Sequence, residues 1–232
     1  MPDKCELLMV GGTSETYRMG DIVRKRPRAD EDPHLAQACA KAIRTEAGVY
    51  RILGDYDSIV NGNLRSYVES RRSTLTEAQL RAWAVQLVRS VAYIHSKGVR
   101  HADLRLDQWM LDQQGNARLA DFEGSGFDAQ PHLGLEATSA TSLESVTHCL
   151  PPDPETDSTV ASDLFALGSS LYELFVGHPP YHTLDSQQVE ALFTVKRFPS
   201  AEGILIGDVV AGCWKGEFPS ADLILARIEY GW

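Results

Sequence analysis

Two short stretches decide the fold: Val99-Arg100-His101-Ala102-Asp103-Leu104-Arg105-Leu106-Asp107-Gln108 and Leu119-Ala120-Asp121-Phe122-Glu123-Gly124. Each carries an aspartate, Asp103 or Asp121, at the end of an apolar run. The residues between them predict a hairpin with its turn at Gln114-Gly115-Asn116. A single aspartate beside a histidine is most often part of a surface loop. The pair of aspartates is therefore the candidate for a functional site, and its interpretation depends on the residues around it.

The patterns on either side of these stretches predict an α+β molecule. Residues 5–26 contain short apolar runs separated by glycine turns, which favour strands. Residues 125–159 are rich in Ser, Thr, Pro and Asp, which predicts a long functional or disordered loop. A small strand-rich part followed by a helical part indicates a two-lobed α+β fold. Apolar residues at helical spacing predict helices over residues 35–53, 64–68, 76–95, 160–176, 187–193 and 207–214.

The composition narrows the class of partner. The chain has 232 residues and a formal net charge of −10, which argues against nucleic acid or an anionic membrane as the main partner. It has no run of about 18 apolar residues, so a membrane helix is not expected, and residues 1–20 lack a signal-peptide pattern. Four cysteines without paired spacing favour free thiols over a disulfide or zinc framework. We therefore expect a soluble, cytoplasmic protein.

The two stretches resemble the catalytic loop and the metal-binding motif of the protein kinases, H-R-D-L-x-x-x-N and D-F-G. Residues 162–181, which begin Ser-Asp-Leu-Phe-Ala-Leu-Gly and end His-Pro-Pro-Tyr, resemble the buried central helix of that family. The resemblance covers the whole chain and is specific over residues 93–181. It implies one kinase-like domain, residues 1–232, with a shortened N-lobe over residues 1–60 and a C-lobe over residues 61–232.

The resemblance assigns roles to four residues of the two motifs. It implies that Asp103 accepts the proton of the substrate hydroxyl and that Asp121 holds magnesium between the phosphates of ATP. Arg105 stands in place of the lysine near the transferred phosphate and keeps its positive charge. Gln108 stands where asparagine binds a second magnesium, and its amide oxygen is still a possible ligand. The implied cofactors are therefore ATP and Mg²⁺.

The N-terminal residues carry a weaker form of the same resemblance. Ile22-Val23-Arg24-Lys25 resembles V-A-I-K, and Glu46 on the first long helix could form the ion pair with Lys25. An exposed basic strand edge and a solvated glutamate are equally acceptable interpretations of these two residues. Residues 11–16, here called the glycine loop, keep Gly11 and Gly12 for nucleotide binding but lack the last glycine of the family pattern.

Several departures from the family bear on activity. Ala102 replaces the arginine that binds a phosphate on the activation loop, so we expect phosphorylation of that loop not to switch the protein. Glu123 replaces the glycine after Phe122, which could fix the orientation of Asp121 or add a carboxylate to the metal site. The interval Gly54–Asn63 has ten residues, whereas two strands, their turn and an adenine-binding hinge need roughly sixteen to twenty. A deletion or skipped exon is one hypothesis for this join.

These observations leave three functions open. The first is a protein kinase that transfers the γ-phosphate of ATP to Ser or Thr of a protein substrate. The second is a pseudokinase scaffold that binds partner proteins without catalysis, which the short interval and the substitutions at Ala102, Gln108 and Glu123 favour. The third is a small-molecule phosphotransferase of the same fold, which the pattern of residues 162–181 disfavours.

Overall fold

The structure, a computed structural model, describes residues 5–20, 22–54, 62–141, 144–151 and 158–231. Its N-terminal part is an antiparallel sheet in the order β1-β2-β3, formed by Cys5–Val10, Ser14–Met19 and Ile22–Pro27. In the register of β2 and β3, Thr16 lies opposite Lys25. Because side chains alternate along a strand, Lys25 is half-buried while the side chains on either side of it in β3 are exposed.

Helix α1, Pro33–Leu53, packs against β3 and is defined by local signals at both ends. Asp32 is the N-cap and accepts a hydrogen bond from the backbone N–H of His34, and the helix begins with proline. Gly54 ends it with φ 81° and donates its N–H to the carbonyl of Tyr50. The inner face of α1 therefore buries Glu46 beside apolar residues.

The C-terminal part is mainly helical and shares one apolar core. At its centre is α4, Val160–Val176, which packs against α3 and α6. A side chain at Gly168 of α4 would come within 2.5 Å of the Cβ of Cys213 on α6, so only glycine permits this close approach. The other helices of this part are α2 (Leu64–Arg71), α3 (Glu77–Ser96), α5 (Ser186–Thr194), α6 (Gly207–Lys215) and α7 (Ala221–Gly231).

Short strands position the two motifs of the candidate site. The hairpin of β5 (Trp109–Leu111) and β6 (Ala117–Leu119) lies between them, as the sequence predicted. Strand β4 (Val99–Arg100) pairs with β7 (Gly126–Phe127), which joins the start of the first motif to the chain after the second. Single-turn 3₁₀ helices lie at Arg72–Thr74, Leu106–Gln108 and Pro131–Leu133.

The structure confirms the expected fold class, and the helices expected from apolar spacing are present, with ends that differ by a few residues. It adds α7, which the sequence analysis missed although Ala221, Ile224 and Ile228 are buried at helical spacing. Strand β7 was also missed, because two residues that pair with a distant strand leave no local pattern. Most of the Gly54–Asn63 interval, and with it the proposed deletion, lies outside the described residues. Within the described residues, no helix is long and apolar enough to cross a membrane.

Candidate functional site

A buried carboxylate on α4 holds the catalytic loop (residues 99–108). The oxygens of Asp163 accept hydrogen bonds from the backbone N–H groups of His101, at 2.8 Å, and Ala102, at 2.9 Å. The ring of His95 lies 2.9 Å from the same carboxylate. Ala102 has φ 66°, a left-handed conformation that costs energy for a non-glycine residue. The hydrogen bonds that Asp163 accepts stabilise this turn, which leads directly into Asp103.

The side chain of Asp103 has one oxygen bound and one available. Gln108 donates its amide N–H to Oδ2 at 2.6 Å, and Nη2 of Arg105 lies 3.2 Å from the same oxygen. Oδ1 is buried, and no described group hydrogen-bonds to it. Burial raises the pKa of Asp103 to about 7, although Arg105 and Gln108 act in the opposite direction. Such a carboxylate is suited to accept a proton near neutral pH.

The second motif is anchored by aromatic packing. Phe122 is fully buried, and its ring centroid lies 5.0 Å from that of His101 and 5.5 Å from that of Tyr50 on α1. The ring of His101 also hydrogen-bonds the carbonyl of Ala120 at 3.0 Å. Asp121, with φ 64°, turns the chain between these anchors and keeps a partly exposed carboxylate. The two motifs are therefore fixed to each other and to α1.

Lys25 lies among three carboxylates that come from distant parts of the chain. Its Nζ is 3.0 Å from Oε2 of Glu46, 3.2 Å from Oδ1 of Asp121 and 3.0 Å from Oε1 of Glu123. Burial alone would lower the pKa of Lys25, but the three carboxylates raise it well above its ordinary value. The site thus contains a permanent ammonium group.

Glu123 connects this ammonium group to the glycine loop. Its carboxylate accepts a hydrogen bond from Oγ of Ser14 at 2.6 Å and another from Oγ1 of Thr13. Burial alone would raise the pKa of Glu123, but the hydrogen bonds from Ser14, Thr13 and Lys25 lower it below its ordinary value. Glu123 is therefore a charged anion with three donors around it.

The structure brings the predicted site residues together in two groups. Lys25, Glu46 and Asp121 meet between β3, α1 and the second motif, and Asp103, Arg105 and Gln108 form a group in the catalytic loop. Gly11 and Gly12 lie between β1 and β2, next to the two hydroxyl residues that reach Glu123. The carboxylates of Glu46, Asp121 and Glu123 lie within 4.8 Å of one another and could hold a cation. Gln108 donates its N–H to Asp103, so the amide oxygen Oε1 is the atom of this side chain that remains for a ligand.

Sequence analysis missed a second buried ion-pair network beside the catalytic loop. Arg65 of α2 donates to both oxygens of Glu173, at 2.6 and 3.0 Å, and its Nη1 lies 3.5 Å from Asp107. The fully buried ring of His148 lies 3.5 Å from Glu173. The signal for this network was Glu173 itself, because a charge within the apolar α4 needs a partner.

Comparison with known proteins adds independent findings. A family model described as the protein kinase domain matches residues 40–204, more than half of the chain. Over 114 residues the chain is 36% identical to the serine/threonine-protein kinase PKH3 of Eremothecium gossypii, covering 48% of this chain and 16% of that protein. It is 30% identical over 125 residues to the serine/threonine-protein kinase PLK4 of Danio rerio, covering 53% of this chain and 13% of that protein.

A third relative matches over more of the chain. The protein kinase C-like 1B of Caenorhabditis elegans is 27% identical over 223 residues, covering 88% of this chain and 28% of that protein. The chain thus spans less than a third of the length of each of these three relatives. The match to the family model begins at residue 40, so the glycine loop and Lys25 precede it.

Proposed function

Because this chain belongs to the protein kinase family, we propose that it transfers the γ-phosphate of ATP to a Ser or Thr hydroxyl of a protein substrate. The observation that carries the proposal is the position of Lys25, which pairs with Glu46 and lies 3.2 Å from Asp121. A strand, a helix and a loop each supply one of these charges. Phosphoryl transfer needs such an arrangement, because it depends on positioning and charge neutralisation.

The residues present fit ATP with magnesium. Mg²⁺ prefers oxygen ligands, which the Asp121 carboxylate and Oε1 of Gln108 offer. Magnesium would neutralise the charge on the phosphates when bound. Oδ1 of Asp103 has no hydrogen-bond partner among the described residues, so it can accept the hydroxyl proton of a substrate that reaches it.

Each remaining residue has a defined role in this proposal. Lys25 binds phosphate oxygens, and Glu46 holds it in place. Arg105 supplies a second cation beside Asp103, 3.2 Å from its carboxylate. The backbone N–H groups of Gly11 and Gly12 would bind phosphate oxygens as the glycine loop covers them. We assign residues 1–60 to the nucleotide-covering N-lobe and residues 61–232 to the C-lobe.

A pseudokinase scaffold is the second candidate function. Ala102 is fully buried and carries no cation for a loop phosphate. The carboxylate of Glu123 already pairs with Lys25. The ten-residue interval Gly54–Asn63 is too short for the expected strands and hinge, which would remove binding energy that positions the γ-phosphate. In this role, the chain would present its surface to partner proteins without turnover.

A thermal-shift titration with ATP, with and without Mg²⁺, tests nucleotide binding first. Ligand that binds only the folded state raises the melting temperature by mass action. We expect a magnesium-dependent rise in the wild-type protein that Asp121→Ala abolishes. The surface variant Asp208→Ala should keep the rise, since the ion pair that Asp208 forms within the described residues is with the exposed Arg227. No rise at millimolar ATP would contradict the proposal and favour the scaffold.

A phosphotransfer assay then separates the two functions. Wild-type protein with labelled ATP and a mixture of Ser- and Thr-containing peptides should give labelled peptide, and Asp103→Asn should not. Nucleotide binding without any labelled peptide would support the pseudokinase scaffold. Label on small alcohols or aminoglycosides instead of peptides would point to a small-molecule phosphotransferase.

A further inference from the structure

The carboxylate of Glu123 binds three donors that face the same space. Two are the hydroxyl groups of Thr13 and Ser14 in the glycine loop, and the third is the ammonium group of Lys25, 3.0 Å away. The side chain of Glu123 is only 11% exposed. The contacts span about 100 residues of sequence, so they join separate parts of the fold.

These contacts have the chemistry of an occupied anion site. An ionised oxygen surrounded by two hydroxyl donors and an ammonium group matches the environment that a phosphate oxygen would find there. Hydrogen bonds to a charged acceptor are stronger than neutral ones, so the bonds from Thr13 and Ser14 keep the loop against Glu123. While Glu123 accepts these hydrogen bonds, a second anion cannot pair with Lys25 and the glycine loop to the same extent.

We propose that Glu123 is an internal anion that closes the glycine loop over Lys25, and that nucleotide phosphates bind by displacing it. This inference rests on the proposed function, because it concerns the phosphate side of the same site. The protein then has a closed state, with Glu123 on Thr13 and Ser14, and an open state that can receive phosphates.

The closed state sets the apparent affinity for nucleotide. The apparent dissociation constant is the intrinsic one divided by the fraction of molecules in the open state. A loop that is closed nine-tenths of the time therefore weakens ATP binding about tenfold. Removing the contact should restore this factor without any change in the residues that bind the ligand.

Three variants distinguish the hydrogen bonds between Glu123 and the glycine loop from the negative charge of Glu123. Glu123→Gly removes both the charge and the acceptor. Glu123→Gln keeps an acceptor oxygen but removes the charge, and it preserves the volume if the glycine variant folds poorly. The double variant Thr13→Val with Ser14→Ala removes the hydroxyl donors and leaves Glu123 beside Lys25. Glu6→Gln is the matched control, because Glu6 is an exposed carboxylate of the same sheet that lies outside the glycine loop and pairs with Arg18.

Two measurements on each protein test the proposal. The first is hydrogen exchange of the glycine-loop amides without nucleotide, which reports the closed state directly. The second is the dissociation constant for ATP with Mg²⁺ from calorimetry. We expect faster exchange at residues 11–14 for Glu123→Gly and for the double variant, and about tenfold tighter ATP binding for Glu123→Gly. Glu123→Gln should show both changes to a smaller extent, and Glu6→Gln should match the wild type.

The outcomes distinguish this proposal from the proposed function. Unchanged exchange in Glu123→Gly, with ATP still bound, would show that Glu123 does not hold the glycine loop closed. The proposed kinase function would then remain. Faster exchange in Glu123→Gly with unchanged ATP affinity would show that Glu123 does not compete with phosphate, which also overturns the proposal. Faster exchange with no ATP binding by any variant would contradict both the competition and the nucleotide site.

Discussion

Oδ1 of Asp163 accepts a hydrogen bond of 2.9 Å from the backbone N–H of Ala102, a residue held at φ 66°. The central helix α4 thereby fixes the backbone just before Asp103. Asp163 is fully buried, and its other oxygen accepts the N–H of His101. Burial removes water from the Asp163 carboxylate, which costs free energy. The carboxylate stabilises the protein only because these hydrogen bonds replace its contacts with water.

Replacement of Asp163 by alanine should therefore destabilise the protein strongly. The variant leaves two buried N–H groups unsatisfied and releases the left-handed turn at Ala102, so we expect a loss of about 3 kcal/mol in the free energy of unfolding. Urea denaturation measures this loss. Asp208→Ala, which removes an exposed ion pair, should cost less than about 1 kcal/mol. Equal losses in the two variants would contradict the bracing role.

Replacement of Arg65 by alanine should destabilise the C-terminal part. Glu173 is only 3% exposed, and Arg65 binds both of its oxygens. Removing one partner of a buried pair costs about 3 kcal/mol or more, because the other charge is left uncompensated. Arg89→Ala is the matched control, since Arg89 and Glu229 are both exposed. Thermal unfolding measures the loss. If the two variants lower the melting temperature equally, the Arg65–Glu173 pair contributes no more to stability than an exposed ion pair.

The raised pKa of Asp103 predicts a pH dependence of stability. In the folded protein this pKa is about 7, against an ordinary value of 3.8, so the folded state binds the extra proton between these pH values. The contribution of Asp103 to the free energy of unfolding is therefore fully present at low pH, and it is lost as the pH rises towards 7. The free energy of unfolding of Asp103→Asn, minus that of the wild type, should grow by up to about 4 kcal/mol between pH 4 and pH 8. A difference that is the same at every pH would contradict the raised pKa.

The same pKa predicts the pH profile of activity. If Asp103 accepts the substrate proton, it acts in its ionised form, and kcat/KM should rise with pH and level off above about 7. Initial rates at subsaturating substrate between pH 5 and pH 9 measure the profile. The melting temperature at each pH is the control for unfolding. A profile that is flat between pH 5 and pH 8 would assign the proton transfer to another group.

Phosphorylation of the segment after the second motif should not activate the protein. Ala102 is buried and apolar where the family has a phosphate-binding arginine, so a phosphate gains no cation from the catalytic loop. The kinetics of protein phosphorylated in vitro should equal those of the same sample after phosphatase treatment. A marked gain in rate would refute this. The candidate sites are Thr138, Ser139, Thr141, Ser145 and Ser142, the last of which lies outside the described residues.

Lys25 shows where local sequence stops being informative. Arg24, Lys25 and Arg26 have similar chemistry, and their sequence alone permits an exposed basic edge or an ion pair. The sheet selects Lys25, because the alternation along β3 turns it inward while Arg24 and Arg26 remain exposed. Its pairing with Glu46 then depends on how α1 packs against that strand.

The sequence by itself determined the helices with regular apolar spacing, the hairpin between the two motifs and the family. These features depend on residues near one another, whose periodicity and caps act locally. Only the tertiary structure decided that Glu123 binds Thr13, Ser14 and Lys25, and that Arg65 binds Glu173. The partners in these contacts lie about 100 residues apart, and a charge pairs with whichever opposite group the packed elements bring beside it. No local pattern specifies that choice, because it follows from how the whole chain packs.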